Sequence, residues 1–320
     1  MRKSIIIQIV ILFAVNSFNN ASVQRNLKDE DINGKARVIR TIEYNAKTKF
    51  GEIVKGNVKT KYNAKNRQVF YDENGNCIKL KAYMGEVLTF YKIYFYNSNG
   101  QIKESREFEI VSDDEKLREK TIYKYNTQNN LIEKNRYLGN GQFMDKISYE
   151  YDENDNLIKK TKTFSTGTIS SEEFTKYNDQ NQKIEIISYD HERDYQTNEI
   201  EKKLESKSVY KYDKNENLTK SIFNYFPRNI KSTKTFNYNN EGYLINKTEE
   251  RKVKGAVKSS KITSYSYDTA GNILNEKLIT QNSTIITKYV YDKNDNWVQK
   301  IKIVNSDPKS IIERKIKYWN

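Results

Sequence analysis

Residues 149–158 read YEYDENDNLI and residues 265–274 read YSYDTAGNIL. The phrase has a tyrosine, a variable residue, a second tyrosine, Asp or Asn, a short polar stretch and a return to apolar residues. Copies centred on the second tyrosine start at Tyr71, Tyr96, Tyr125, Tyr151, Tyr177, Tyr212, Tyr238, Tyr267 and Tyr291. Self-similarity at a period near 26 residues predicts a repeat architecture, in which each unit buries its apolar surface against its neighbours.

Each copy spells out a hairpin. Two residues before the key tyrosine stand Tyr94, Tyr123, Tyr149, Tyr210, Phe236, Tyr265 and Tyr289, with Val69 and Thr175 in the other two copies. Alternation by two puts both side chains on one face of a strand. The next residue is always Asp or Asn, whose side chain bonds the backbone two residues on and starts a turn. Four residues after the tyrosine come Gly75, Gly100, Asn129, Asp155, Asn181, Glu216, Gly242, Gly271 and Asp295. All but Glu216 are types that tolerate positive φ, as a tight hairpin ending in a left-handed residue requires. The return strand then opens with Cys77, Ile102, Leu131, Leu157, Leu218, Leu244, Ile273 or Trp297, with Lys183 the exception.

A second set of turn residues closes each unit: Gly85, Ser112 with Asp113, Gly139 to Gly141, Gly167, Pro227, Gly255, Asn282, and Asp307 with Pro308. The expected fold is all-β, an antiparallel meander of β-hairpin repeats forming an extended, coiled sheet of roughly 18–22 strands. Charged residues between Tyr189 and Ser206 stretch one period and read as a protruding loop or hairpin. Tyr44 and Tyr62 each begin YNAK and read as degenerate repeats. The expected organisation is a signal peptide over 1–21, an N-terminal cap with degenerate repeats over 22–60, and the repeat array over 61–320.

Arg2 and Lys3 followed by an apolar run from Ile5 to Val15 have the layout of a secretory signal peptide, with cleavage expected after Ala21 or Val23. The run is shorter than the ~17–25 residues of a membrane span. A secreted or periplasmic product with no membrane span after cleavage follows. With one cysteine, Cys77, stability cannot come from an internal disulfide. A mean hydropathy of −0.92 is low for a globular domain, but 25 tyrosines and 13 phenylalanines in periodic positions argue against disorder.

The chain holds 56 Lys and Arg against 42 Asp and Glu, a net charge of +14, or +12 without Arg2 and Lys3. The lysines are spread over every repeat, which points away from nucleic acid and toward solvated sheet or an anionic partner.

The phrase resembles the YD repeat of the Rhs and teneurin families. The resemblance covers residues 62–320 and implies a β-hairpin array, which in long members spirals into a hollow shell around a toxin. This chain is too short for that shell on this reading, and is more similar to short, stand-alone, exported bacterial members. The structural motif comprises Tyr71, Asp72, Gly75, Tyr96, Gly100, Tyr125, Tyr151, Asp152, Tyr177, Tyr212, Asp213, Tyr238, Gly242, Tyr267, Asp268, Gly271, Tyr291 and Asp292.

No reactive constellation stands out. Asp72, Asn74 and Asn76 match the start of a calcium loop, as do the triplets beginning at Asp152, Asp213 and Asp292. The sixth loop position, a glycine in such loops, holds Cys77, Leu157, Leu218 or Trp297. His191, the only histidine, is followed by Glu192 but has Tyr195 where a zinc helix needs its second histidine. Cys77 occupies an apolar slot. No catalytic residue, metal or cofactor is expected. The expected role is a non-enzymatic scaffold binding a surface glycan or cell-envelope protein through tyrosine rings, with Lys124, Lys176 and Lys211 as ligand-binding residues on the same face. The alternative is a structural component of a polymorphic toxin or secretion system.

Overall fold

The computed structural model describes residues 27, 30, 32–61, 65–193, 196–197 and 199–319. The signal peptide, the turn expected at Tyr62 and the Tyr195 position lie outside them. The chain folds into β-strands in a single antiparallel meander. The first seven are β1 (Ala36–Lys49), β2 (Glu52–Val58), β3 (Arg67–Tyr71), β4 (Cys77–Met84), β5 (Val87–Tyr96), β6 (Ile102–Val111) and β7 (Asp114–Tyr125). Next come β8 (Leu131–Leu138), β9 (Phe143–Tyr151), β10 (Leu157–Phe164), β11 (Ile169–Tyr177), β12 (Lys183–Arg193), β13 (Ile200–Tyr212) and β14 (Leu218–Tyr225). The last are β15 (Ile230–Tyr238), β16 (Leu244–Val253), β17 (Ala256–Tyr267), β18 (Ile273–Thr280), β19 (Thr284–Tyr291), β20 (Trp297–Val304) and β21 (Asp307–Tyr318).

The repeat turn forms at all nine copies with one geometry. In the first copy the Asp72 amide donates to the Asn76 carbonyl, and the Gly75 amide donates to the Asp72 carbonyl. Asp72 Oδ1 accepts the amides of Asn74 and Asn76, and its Oδ2 accepts the Asn76 side chain. The fourth residue after the tyrosine has positive φ in every copy, from Asn181 at 57° to Gly271 at 88°, and Glu216 complies at 65°. One residue after each return-strand opener is skipped in the pairing: Tyr125 faces Leu131 while Lys124 faces Glu133. The skipped residue is a bulge and bends the strand outward. Ile78, Ile132, Ile245 and Leu274 are bulge residues and are exposed.

The extended sheet expected from the repeat is instead closed. β1 pairs along one edge with β21, from Ala36 opposite Tyr318 to Asn45 opposite Ser310. Its other edge is shared by β3, opposite Val38–Thr41, and by β2, opposite Tyr44–Lys49. Because β2 and β3 occupy one position in the wall, the 21 strands make a barrel of 20 staves. With strands tilted as in other barrels, its backbone is roughly 40 Å across. Tyr44 therefore lies mid-strand and makes no repeat turn; the β1–β2 hairpin turns at Phe50 and Gly51, both at positive φ. Residues 36–58 are part of the wall rather than a separate cap. The last hairpin turns at Asn305 and Ser306, not at Asp307 and Pro308, which open β21.

Closure reuses the repeat. Tyr318 pairs with Ala36 and a bulge follows at once, as at Tyr71 and Cys77. The Trp319 amide donates to the Lys35 carbonyl at 2.8 Å, the bond that Asp72 makes to Asn76. Gly34 has φ 87°, matching Gly75. Asn33-Gly34-Lys35-Ala36 is thus the second half of a tenth repeat turn whose first half is Tyr318-Trp319. Ala36 is fully buried in the slot that other copies fill with Cys, Leu or Ile. The two chain ends complete one hairpin between them. No internal copy could reveal this, because its halves sit at opposite ends of the sequence.

Candidate functional site

Eight of the nine key tyrosines, from Tyr96 to Tyr291, fasten their repeat to the one before. The Tyr96 hydroxyl donates to the Cys77 carbonyl at 2.7 Å, Tyr125 to Ile102 at 3.0 Å, Tyr151 to Leu131 at 2.8 Å and Tyr177 to Leu157 at 3.0 Å. Tyr212 bonds Lys183, Tyr238 bonds Leu218, Tyr267 bonds Leu244 and Tyr291 bonds Ile273 in the same way. These eight bonds each need a hydroxyl, which accounts for tyrosine at this position in those copies, while the position two residues earlier also takes Phe236, Val69 and Thr175. That contrast was the sequence clue to these bonds. Burial pushes Tyr125 and Tyr267 up to about 12, and raises Tyr96 and Tyr149 as well.

Adjacent turns are also tied sideways. The Asn130 side chain donates to Asp155 Oδ1 at 2.6 Å, Asn156 to Asn181 at 2.9 Å and Asn272 to Asp295 at 3.1 Å. Gln101 reaches the Asn129 carbonyl and Asn296 reaches the Asn33 carbonyl. At the seam, the Leu27 amide donates to Gly75 and the Trp319 indole to Asp72. One rim of the barrel is therefore a nearly continuous hydrogen-bonded ring.

This ring disfavours calcium. Each repeat aspartate spends Oδ1 on backbone amides and Oδ2 on an Asn side chain or, at Asp292, on the Tyr318 hydroxyl. The Asn272 amide holds the Asp268 carboxyl below its ordinary range. Among the described residues no group of three or more His, Cys, Asp or Glu is placed to hold a metal.

Lys124, Lys176 and Lys211 do not join the tyrosines. Each alternates with a key tyrosine, so it lies on the opposite face of the wall. Lys124 pairs with Glu133 at 2.6 Å and Lys176 with Glu185 at 2.9 Å, while Lys211 faces Lys220 across the ladder. Both faces of the wall are charged. On the tyrosine face, Arg136 is held by Asp145 and approached by Glu119, and Lys134 and Lys160 stand opposite Tyr123 and Tyr149. The other face carries Glu104, Arg106, Lys120, Lys124 and Glu133 in register. A membrane-spanning barrel turns an apolar band about 25 Å tall toward lipid; the residues named on β6–β10 put charges on both faces of that stretch of wall.

The opposite rim is built differently. Its hairpin tips vary in length, and the longest is the β12–β13 hairpin formed by the charged insertion. Phe50, Val87, Val111, Phe164, Phe226 and Val257 are exposed there, Phe50 at 95%. His191 lies on this hairpin. Its Nε2 stands 3.1 Å from Glu172 Oε2, which also binds Lys202 at 2.6 Å, and Lys159 approaches the other oxygen at 3.3 Å. Lys202 and these neighbours hold the Glu172 carboxyl down to about 2. His191 is thus a side-chain partner of Glu172 within this cluster. On the other face of the hairpin, Asp190, Glu192, Lys203, Glu205, Phe226 and Pro227 line a cleft of about 290 Å³. Burial, with Glu192 nearby, raises Asp190, and burial with Asp190 raises Glu205. Cys77 is fully buried beneath the turn rim, as a small apolar residue would be.

No protein-family model matches the chain, and no curated protein does. Among solved structures, the toxin complex TcdB2-TccC3-TEV is similar over 76% of this chain at 15% identity and a TM-score of 0.34. The chain spans only 15% of that protein's length. A porin-like protein from Bacteroides uniformis covers 89% of this chain and 98% of its own length, at 9% identity and a TM-score of 0.32. One from Bacteroides vulgatus gives 12% identity and a TM-score of 0.28. These likenesses concern general β-architecture, and the activities of those proteins are not carried over.

Proposed function

We propose that the protein is an exported, non-enzymatic YD-repeat barrel that holds the variable rim out to a component of the cell envelope. The observation that carries this reading is the division of labour between the rims. One rim is consumed by structure, its carboxylates, amides and tyrosine hydroxyls bonded to one another. The other bears the differences in hairpin length and the exposed apolar tips, as binding loops on a rigid scaffold do. The tyrosine face is a weaker candidate for sugar stacking than the sequence suggested, since eight key hydroxyls are bonded to backbone carbonyls and Lys124, Lys176 and Lys211 lie on the other face.

The test is a pull-down from envelope extract and a glycan array, using wild type, a variant shortened at residues 194–199 and a turn-rim variant, Asp155→Gly. Binding should weaken in the first variant and persist in the second. Retention that ignores the variable rim, or loss confined to the turn rim, would refute the reading.

A further inference from the structure

The variable rim is not uniform in charge. At the β6–β7 tip, Asp113, Asp114 and Glu115 make an acidic sector. Across the rim, the β14–β15 and β16–β17 tips are adjacent: β15 pairs with β16 from Ile230 opposite Val253, and the Lys254 amide donates to the Asn229 carbonyl at 2.9 Å. Residues 226–231 read FPRNIK and residues 251–258 read RKVKGAVK, without one carboxylate. Phe226 and Val257 are 46% and 48% exposed, and Arg228, Lys231, Arg251, Lys254 and Lys258 around them are exposed as well. Lys252 pairs with Glu250. Two exposed apolar side chains on neighbouring tips, flanked by long basic ones and bordered beyond Phe226 by the acidic cleft, form a small cationic surface.

We infer that this sector docks on an anionic lipid bilayer. The inference rests on the reading that the variable rim faces the envelope, and names the partner. Charge complementarity selects the occupant: a carboxylate-free cluster on a chain of net charge +14 is attracted by anionic head groups, which act within a Debye length. The shape agrees. Val257 stands out from its tip, and Phe226, although one side of its ring borders the neighbouring cleft, is still 46% exposed, so both can enter the head-group layer. The stems of Arg228, Lys254 and Lys258 can lie along them while their charges stay at the phosphates. The neighbouring acidic cleft holds Asp190, Glu192 and Glu205 beside Phe226, with Lys203 as its cation. It marks one edge of the lipid-facing arc.

The experiment is flotation of the full chain with vesicles of phosphatidylcholine alone and of phosphatidylcholine with phosphatidylglycerol in equal parts, at low and physiological salt. Wild type should bind only the anionic vesicles and release as salt rises. The triple variant Arg228→Gln, Lys254→Gln, Lys258→Gln should lose at least about tenfold in binding. The pair Phe226→Ser, Val257→Ser should weaken it further at high salt, where insertion remains. Phe164→Ser, on the same rim outside the sector, should bind as wild type does, and circular dichroism should show each variant folded. Equal binding to both vesicle types, no binding by wild type, or equal loss in Phe164→Ser would overturn the lipid assignment. If vesicles fail while an envelope protein is still captured through the variable rim, the broader reading survives without this one.

Discussion

The two rims share the same strands and are held by different means. At the turn rim, ten turns, one of them shared between the chain ends, adopt one geometry, and tyrosine hydroxyls and Asn or Gln side chains carry hydrogen bonds from each repeat to the next. At the variable rim the connections differ in length and are joined by fewer side-chain bonds. A hairpin's register is set by its turn. Pinning every register at one end leaves the other end free to lengthen, as the β12–β13 hairpin does, without misaligning the wall. The contrast shows how a repeat can be strictly constrained and still vary.

The sharpest way to break the comparison is alkali. Free tyrosine ionises near 10, whereas Tyr125 and Tyr267 ionise at about 12 in the folded barrel. Between these values the folded state binds more protons than the unfolded one, so stability is complete below pH 10 and falls as pH rises toward 12. Several raised tyrosines act in the same direction on the narrow stability margin of a folded domain. We expect cooperative loss of the strand dichroism in that window, coincident with the phenolate absorbance. Gradual ionisation of an intact barrel would refute the hydroxyl-to-carbonyl ties.

Gly34→Val should come next, at about 1–3 kcal/mol, because φ 87° is closed to a β-branched residue and its Cβ would press on the Tyr318 ring at 3.3 Å. Chemical denaturation measures the loss. The split turn predicts a cost like that of Gly75→Val, whose φ is 80° and whose Cβ would meet Leu27 at 3.2 Å. A negligible effect at Gly34 would mean the seam does not depend on the tenth turn.

Tyr151→Phe removes one hydroxyl and strands the Leu131 carbonyl, for about 1 kcal/mol. Smallest of all should be Asn282→Ala, at a variable-rim tip, within about 0.5 kcal/mol. Tyr151→Phe costing no more than Asn282→Ala would erase the distinction between the rims.

Much of the turn rim was legible in the chain. Asp or Asn after each tyrosine and the positive-φ residue three positions later placed all nine turns, and Glu216 shows the turn imposing its backbone even on a residue with no preference for it. Closure was not legible, because Gly34 and Tyr318 look like fragments when read separately. The alternation of Lys124 with Tyr123 and Tyr125 did place that lysine on the other face, but the expectation of a joint tyrosine and lysine surface ignored it. The charged tips around Phe226 and Val257 carry no repeat pattern, and they become neighbours only through the β15–β16 pairing.

The shared tenth turn also governs the order of assembly. The Asn33 amide meets the Asn296 side chain across 263 residues of chain. Every other stave can zip onto its predecessor through local contacts, but the wall cannot close until the last strand has been made. Closing so long a loop is entropically expensive and slow. Until then, β1 and the growing end each expose an unpaired edge to neighbouring chains. A chain interrupted before Tyr318 would therefore keep both edges open and be prone to join other copies. Pairing of β21 with β1 is what turns a sticky ribbon into a self-contained ring.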